Sequence, residues 1–376
     1  MKRQLMRFKS AFILDGEMWC VPRTINTLFK VNLTDWSVRS VYAFGREEEF
    51  YIDYIFCHHD YVWCIAATGA RVIGYHIPTG KAEFFQMEIN ERRNVEVVLY
   101  NDTILIIPEW LPNEIISFNI ENKYFYIYNG WQKECSKRKI EGRIMPGCLE
   151  KDMLSMAMWD ECKILHFDLA KKAMKVTSLP GEGGLRRVLQ INHVFYAISN
   201  VERGLFRWDE KKDEIKKIYC PYMKNGNYIS ACGTKLLEGI FLIDSDIIDF
   251  FDMKTEVIYQ CNSFPDNLEK DNRVGTLFFN GLQYEKRYFL APLGADMLLE
   301  FNMENRQWKG HTLEIPDSIF YEEYIKKRIA TCFMIQEEDC FLENFVNCLG
   351  DIDERQNKNI KKIGYRIYTD IMLKNI

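Results

Sequence analysis

LFRWDEKKD, residues 205–213, is the stretch on which the reading of this chain turns. An apolar run ends in a short polar side chain, a polar turn follows, and a second strand-like run begins. The phrase recurs as LFKVNLTDW (28–36), VIGYHIPTG (72–80), IISFNIENK (115–123), ILHFDLAKK (164–172), DFFDMKTE (249–256) and LLEFNMENR (298–306). Aligned on the polar residue, the seven copies give Asn32, His76, Asn119, Asp168, Asp209, Asp252 and Asn302, separated by 44, 43, 49, 41, 43 and 50 residues.

A period of about 40 to 50 residues built from short strands is the spacing of one four-stranded blade per copy. A side chain that hydrogen-bonds to nearby backbone closes the turn between the third and fourth strands, and the branched and aromatic residues before it pack between blades. The expected fold is therefore all-β, a seven-bladed β-propeller over residues 1–315, with a short α-helical C-terminal extension over 316–376. In the second unit the alternation predicts strands over 51–57, 61–66, 71–77 and 82–87. The other units span 10–44, 95–128, 145–179, 187–219, 228–260 and 274–315. An insertion at 130–142, with Lys133, Lys137, Arg138 and Lys139, reads as a solvated surface loop.

Composition agrees with one large core. The chain has 376 residues, 47% of them hydrophobic, and 49 basic against 54 acidic residues leave a net charge of −5. That balance offers no general attraction for nucleic acid or an anionic membrane. The basic start is followed by an apolar run, 11–14, that Asp15, Gly16 and Glu17 interrupt, so it is too short for a secretory signal. No stretch has the length of a transmembrane helix. The expectation is a cytoplasmic protein whose twelve cysteines, without CxxC pairs, are reduced and packed.

The tail changes character. Glu337, Glu338 and Asp339 precede Phe341, Leu342, Phe345, Val346 and Leu349, with Gly350 after them, the pattern of an amphipathic helix with an acidic first turn. A second stripe, Ile360, Ile363, Ile367 and Ile371, follows. Both helices are expected to bury their stripes on the propeller.

With these units in view, the repeat resembles those of WD-type and kelch-type propellers, most plainly where Trp208 and Asp209 match the WD dipeptide. The resemblance covers residues 10–315 and is one of architecture; no recurrent Gly-His precedes the strands, and Gly183-Gly184 is the one Gly-Gly doublet. Degenerate blades followed by a helical tail are also similar to propeller proteins of bacteria. Such a likeness implies a fold without implying a reaction.

The natural site in a propeller is the mouth of its central channel. The loops between second and third strands place Arg23, Trp110, Asn113, Trp159, Glu202, Asp244 and Asp296 there as candidate binding residues, with tryptophan as stacking platform and arginine as carboxylate clamp. The expected role is non-enzymatic binding of a protein, peptide or glycan. The alternative is a metal-assisted hydrolase or lyase in which Glu202, Asp244 and Asp296 converge on a divalent ion. No HExxH, phosphate-binding glycine loop or GxSxG occurs, so no catalytic residue, cofactor or metal ligand is assigned. His58, His59 and Asp60 form the densest cluster of potential ligands, but they fall in a first-to-second-strand turn, on the face opposite the mouth.

Overall fold

A computed structural model of the chain describes residues 5–44, 51–89, 92–222, 228–244, 247–261, 264–270 and 276–319. Of the helical tail expected over 316–376, all but residues 316–319 lies outside the described residues, both apolar stripes included.

Seven antiparallel sheets form, each with four strands contiguous in sequence. Blade 1 comprises Ala11–Leu14, Glu17–Cys20, Thr27–Asn32 and Val38–Ala43; blade 2, Ile52–His58, Tyr61–Ala66, Ala70–His76 and Lys81–Met87. Blade 3 comprises Asn94–Tyr100, Thr103–Pro108, Ile116–Asn119 and Tyr124–Ile127; blade 4, Gly142–Glu150, Met153–Met158, Lys163–Asp168 and Ala173–Ser178. Blade 5 comprises Leu185–Ile191, Val194–Ser199, Gly204–Asp209 and Glu214–Tyr219; blade 6, Ser230–Thr234, Gly239–Ile243, Ile248–Asp252 and Val257–Gln260. Blade 7 comprises Phe278–Tyr284, Arg287–Pro292, Leu298–Asn302 and Gln307–His311. The short strand Trp110–Leu111, from blade 3's connection, adds to the inner edge of blade 4. The seven-bladed architecture read from the repeat is present.

All seven polar anchors close their turns. The Oδ1 atoms of Asn32, Asn119, Asp168, Asp209, Asp252 and Asn302 accept backbone N–H groups two or three residues on, at 2.7–3.3 Å. His76 does the same work through its ring, with Nδ1 2.8 Å from the Thr79 hydroxyl. Four residues after each anchor the backbone turns left-handed, at Trp36, Gly80, Lys123, Lys172, Asp213, Glu256 and Arg306. Glycine fills that position once; elsewhere an ordinary side chain accepts a conformation costing roughly 1 kcal/mol, which the anchor's hydrogen bonds offset.

Burial follows the same sevenfold order. Seven apolar clusters lie in the seven seams between adjacent blades, for example Trp63, Ile65, Ile104 and Phe118 between blades 2 and 3. Each sheet is flanked by two such clusters, so its strands are apolar on both faces near the axis. They become polar outward: Lys81–Met87 is mostly half-buried or exposed, whereas Tyr61–Ala66 is almost entirely buried.

The ring is closed by the segment before blade 1. Met6 N–H donates to the Leu313 carbonyl and Phe8 N–H to that of Pro292, both at 2.9 Å, and Leu5 bridges Glu314. Phe8 and Met6 are buried with Phe289, Leu298 and Leu313 of blade 7 and its exit. Trp36 stacks on His311 across the same seam with ring centroids 3.4 Å apart.

The insertion at 130–142 differs from the expected loop. Trp131–Arg138 is a helix whose Trp131 and Cys135, one turn apart, are buried against Phe167 and Leu169. Trp131 meets Phe167 edge-on at 5.3 Å and donates Nε1–H to the Asn113 carbonyl at 3.1 Å. Lys133, Lys137, Arg138 and Lys139 do face solvent. The apolar pair at i and i+4 overrides the polar composition.

Removing an anchor should cost one turn hydrogen bond. Asp168→Ala and Asp252→Ala are each expected to lower stability by about 1 kcal/mol in chemical denaturation, while exposed Glu121→Ala is silent. Asp213→Gly, which relieves the left-handed strain, should be neutral or stabilising.

Candidate functional site

The channel mouth is built by irregular inner strands. In blades 2, 3, 4, 5 and 7 the first-to-second-strand register slips near the mouth: around Asp53, at Val95 opposite Ile107 and Pro108, at Pro146–Gly147, at Arg186, and at Phe279–Asn280. A bulge re-aims side chains that would otherwise alternate across the sheet. Asp53, Val95, Pro146, Arg186 and Phe279 all line one cavity of about 120 Å³ as a result. Two glycines permit the close approach behind it. A Cβ at Gly147 would stand 1.8 Å from the Ser155 carbonyl oxygen, and one at Gly184 1.7 Å from that of Trp159. Asn200 ties the second approach together, accepting from Gly184 N–H at 2.8 Å and donating to the Trp159 carbonyl at 2.6 Å.

The cavity is cationic. Lys9, Arg23, Arg93, Arg143, Arg186 and Arg187 line it, against Asp53 and Glu109. Both carboxylates are taken. Asp53, 3% exposed, receives a two-pronged bond from Arg23 at 3.0 and 3.1 Å and one from Lys9 at 3.3 Å. Glu109 accepts Arg143 Nε–H at 2.6 Å and lies 3.6 Å from Arg93. Lys9 also donates to the Tyr54 hydroxyl at 2.9 Å. Burial lowers its pKa, and Asp53 and Glu96 act in the opposite sense. Burial likewise raises the pKa of Glu96, with Arg187 and Lys9 opposing.

Two arginines keep unused donors. Nε of Arg186 and Nε of Arg187 are buried without a hydrogen-bond partner. Arg186 and Arg143 hold their guanidiniums 4.8 and 4.9 Å from the Trp159 ring centre, within cation–π range. Burial lowers the Arg186 pKa, the charge of Arg143 adds to this, and Asp244 opposes it.

Of the residues expected at the mouth, Arg23 lines the cavity and Trp159 braces two of its arginines. Trp110, 53% exposed, sits beside Arg143 in the strand added to blade 4. The charge of Asp244 acts on Arg186, raising its pKa against the effect of burial. Asn113 lines a separate depression with Arg92 and Glu114. Glu202 accepts Glu182 N–H at 2.5 Å and pairs with Lys217, and Asp296 accepts Glu269 N–H at 2.9 Å. Glu202 and Asp296 are taken up by separate backbone N–H groups, and among the described residues neither they nor Asp244 belong to a group of potential metal ligands in mutual reach. Among the described residues, the group of three potential metal ligands in mutual reach is His58, His59 and Asp102.

Sequence reasoning missed Lys9, Asp53, Arg93, Glu109, Arg143, Arg186 and Arg187. Most belong to inner strands or their approaches, and the available signal was Pro146–Gly147 inside a strand, a mark of a bulge. A Ser155–His166 contact of 2.8 Å belongs to the core instead. Both side chains are buried, His166 lies beside the Phe195 and Trp208 rings, and burial pushes its pKa down to about 4.

No protein-family model and no curated protein matches the sequence. Solved structures are similar in fold. The extracellular domain of a one-component system from B. thetaiotaomicron superposes with a TM-score of 0.56 at 11% identity over 78% of this chain, which spans 38% of that one. A streptogramin B lyase gives 0.56 at 8% identity, covering 82% of this chain and 96% of the lyase. A chain of a mitotic checkpoint complex gives 0.54 at 7% identity, covering 84% and 94%. At these identities the likeness is one of fold. No helix among the described residues is long and apolar enough to cross a membrane.

Asp53 is buried and holds Arg23 and Lys9 together, so its neutralisation breaks the ion pairs of both cations at once. Asp53→Asn is expected to cost about 3–5 kcal/mol by denaturant titration. Glu17→Gln, which breaks the more exposed pairs to Lys30 and Arg39, should cost under about 1 kcal/mol.

Proposed function

We propose that this chain is a non-enzymatic binding propeller whose channel mouth receives an anionic group, a carboxylate or phosphate, presented by a protein or peptide. The observation that carries this reading is the pair of buried, unpartnered Nε atoms of Arg186 and Arg187. They stand in a cavity where six cations face two carboxylates already engaged. Guanidiniums are suited to such groups because their N–H donors match the paired oxygens. The volume of about 120 Å³ is well below the ~300 Å³ or more that encloses a small-molecule ligand. The mouth therefore takes one end of a ligand and leaves the rest at the rim, where Trp110 offers an exposed flat surface.

The fold supports a binding role because a closed ring presents a shared concave surface at its axis. The nine described cysteines are all unpaired, which supports a reducing compartment such as the cytoplasm. An acidic glycan carries the same carboxylate and is the competing ligand class.

Fluorescence anisotropy with a labelled glutamate-rich peptide tests the reading. The wild type should bind, more weakly at high salt, and Arg186→Gln and Arg187→Gln should each weaken binding about tenfold or more. Lys133→Gln, on the exposed helix, should not change it. A wild type that ignores the peptide and binds a uronic-acid oligosaccharide in an Arg186-dependent manner would transfer the site to glycans. Failure of both probes, or unchanged binding by both arginine variants, would overturn it.

A further inference from the structure

On the face opposite the channel mouth, tight turns of neighbouring blades bring three ligand-type side chains together. His58 ends the inner strand of blade 2, His59 lies in the two-residue turn that follows, and Asp102 occupies the equivalent turn of blade 3. The two imidazoles stand 4.0 Å apart between centroids. Both Nε2 atoms are directed at the same oxygen, Oδ1 of Asp102, at 2.6 Å from His58 and 3.5 Å from His59. All three donor atoms lie within 4.8 Å of one another.

The backbones beneath are fixed. His59 and Asp102 are left-handed, with φ of 51° and 54°. The Asp60 carbonyl accepts Ile77 N–H at 2.8 Å and the Asp102 carbonyl accepts Ile120 N–H at 2.9 Å, so each turn is tied to the third strand's exit in its own blade. The side chains are free to adjust: His59 is 71% exposed and Asp102 44%.

We propose that His58, His59 and Asp102 form a binding site for a zinc-type divalent transition-metal ion that clips blade 2 to blade 3. Two imidazoles and a carboxylate are the ligand set favoured by zinc, copper, nickel and cobalt over magnesium or calcium, which prefer all-oxygen shells. Bonds of about 2.0–2.2 Å in a tetrahedron set donor atoms about 3.3 Å apart. The 2.6 Å contact must therefore open by under about 1 Å, and the widest separation must close by a larger side-chain rotation, which the exposed His59 ring allows. With three protein ligands the fourth position goes to water. Cys57 lies alongside, but its thiol is directed at the His59 carbonyl oxygen, 3.5 Å away, and burial raises its pKa, with Asp60 and Asp15 adding to the shift.

The test uses the full-length, untagged chain stripped with a chelator and titrated with Zn²⁺ by calorimetry, with thermal melting in parallel. One equivalent should bind, and saturating Zn²⁺ should raise the melting temperature by about 2 °C or more, because the ion favours the folded state. His59→Ala and Asp102→Asn should each weaken binding at least tenfold and abolish the shift, whereas Cys57→Ser and His193→Ala retain both. His59 is exposed and Asp102→Asn is isosteric, and circular dichroism of both variants checks their fold. Absence of Zn²⁺ binding by the wild type, or wild-type affinity in His59→Ala and Asp102→Asn, would overturn the proposal.

Discussion

The structure depends on closing a ring whose blades cannot bury their faces alone. Each sheet is apolar on both sides near the axis, so every blade needs two neighbours, and blades 7 and 1 supply each other's missing one. Among the described residues no strand is exchanged between them, since the sheets of blades 1 and 7 are each built from four consecutive strands. Closure rests on residues 5–8: two backbone hydrogen bonds into blade 7 and its exit, and the buried side chains of Met6 and Phe8. The same segment builds the site. Its next residue, Lys9, enters the channel, and the Arg7 carbonyl accepts Arg23 N–H at 2.8 Å, which fixes the loop that aims Arg23 at Asp53. Ring closure and the cationic mouth are thus two results of one chain path.

How much of this the sequence carried differs by level, for physical reasons. The blades were legible because their turns are local: Asp168 closes its turn with Lys171 three residues away, and such side chains leave a periodic trace. Strand bounds in blade 2 fall within a residue of the alternation pattern, 51–57 against Ile52–His58. The helix at Trp131–Arg138 was misread because four basic residues around it masked the spacing of Trp131 and Cys135.

The site was less legible because convergence around an axis is non-local. Arg23 and Trp159 were identifiable as loop residues of suitable type. Arg186, Arg187 and Asp53 were not, because they sit in inner strands and reach the channel through bulges that alternation alone does not reveal. Asp102 joins His58 only across a blade seam, 44 residues on in sequence. Adjacent histidines announced two of the three members of that cluster, and a two-residue turn in the next repeat supplied the third.

The seam between blades 7 and 1 is the most direct place to test this account. Phe8 has no exposed surface and belongs to no blade, so its only structural role is to fill the closing seam. Calorimetric and denaturant unfolding of Phe8→Ala should show a loss of about 3–5 kcal/mol, the cost of truncating a fully buried phenylalanine. A variant that unfolds within about 0.5 kcal/mol of the wild type, the range of surface substitutions, would contradict closure by this segment.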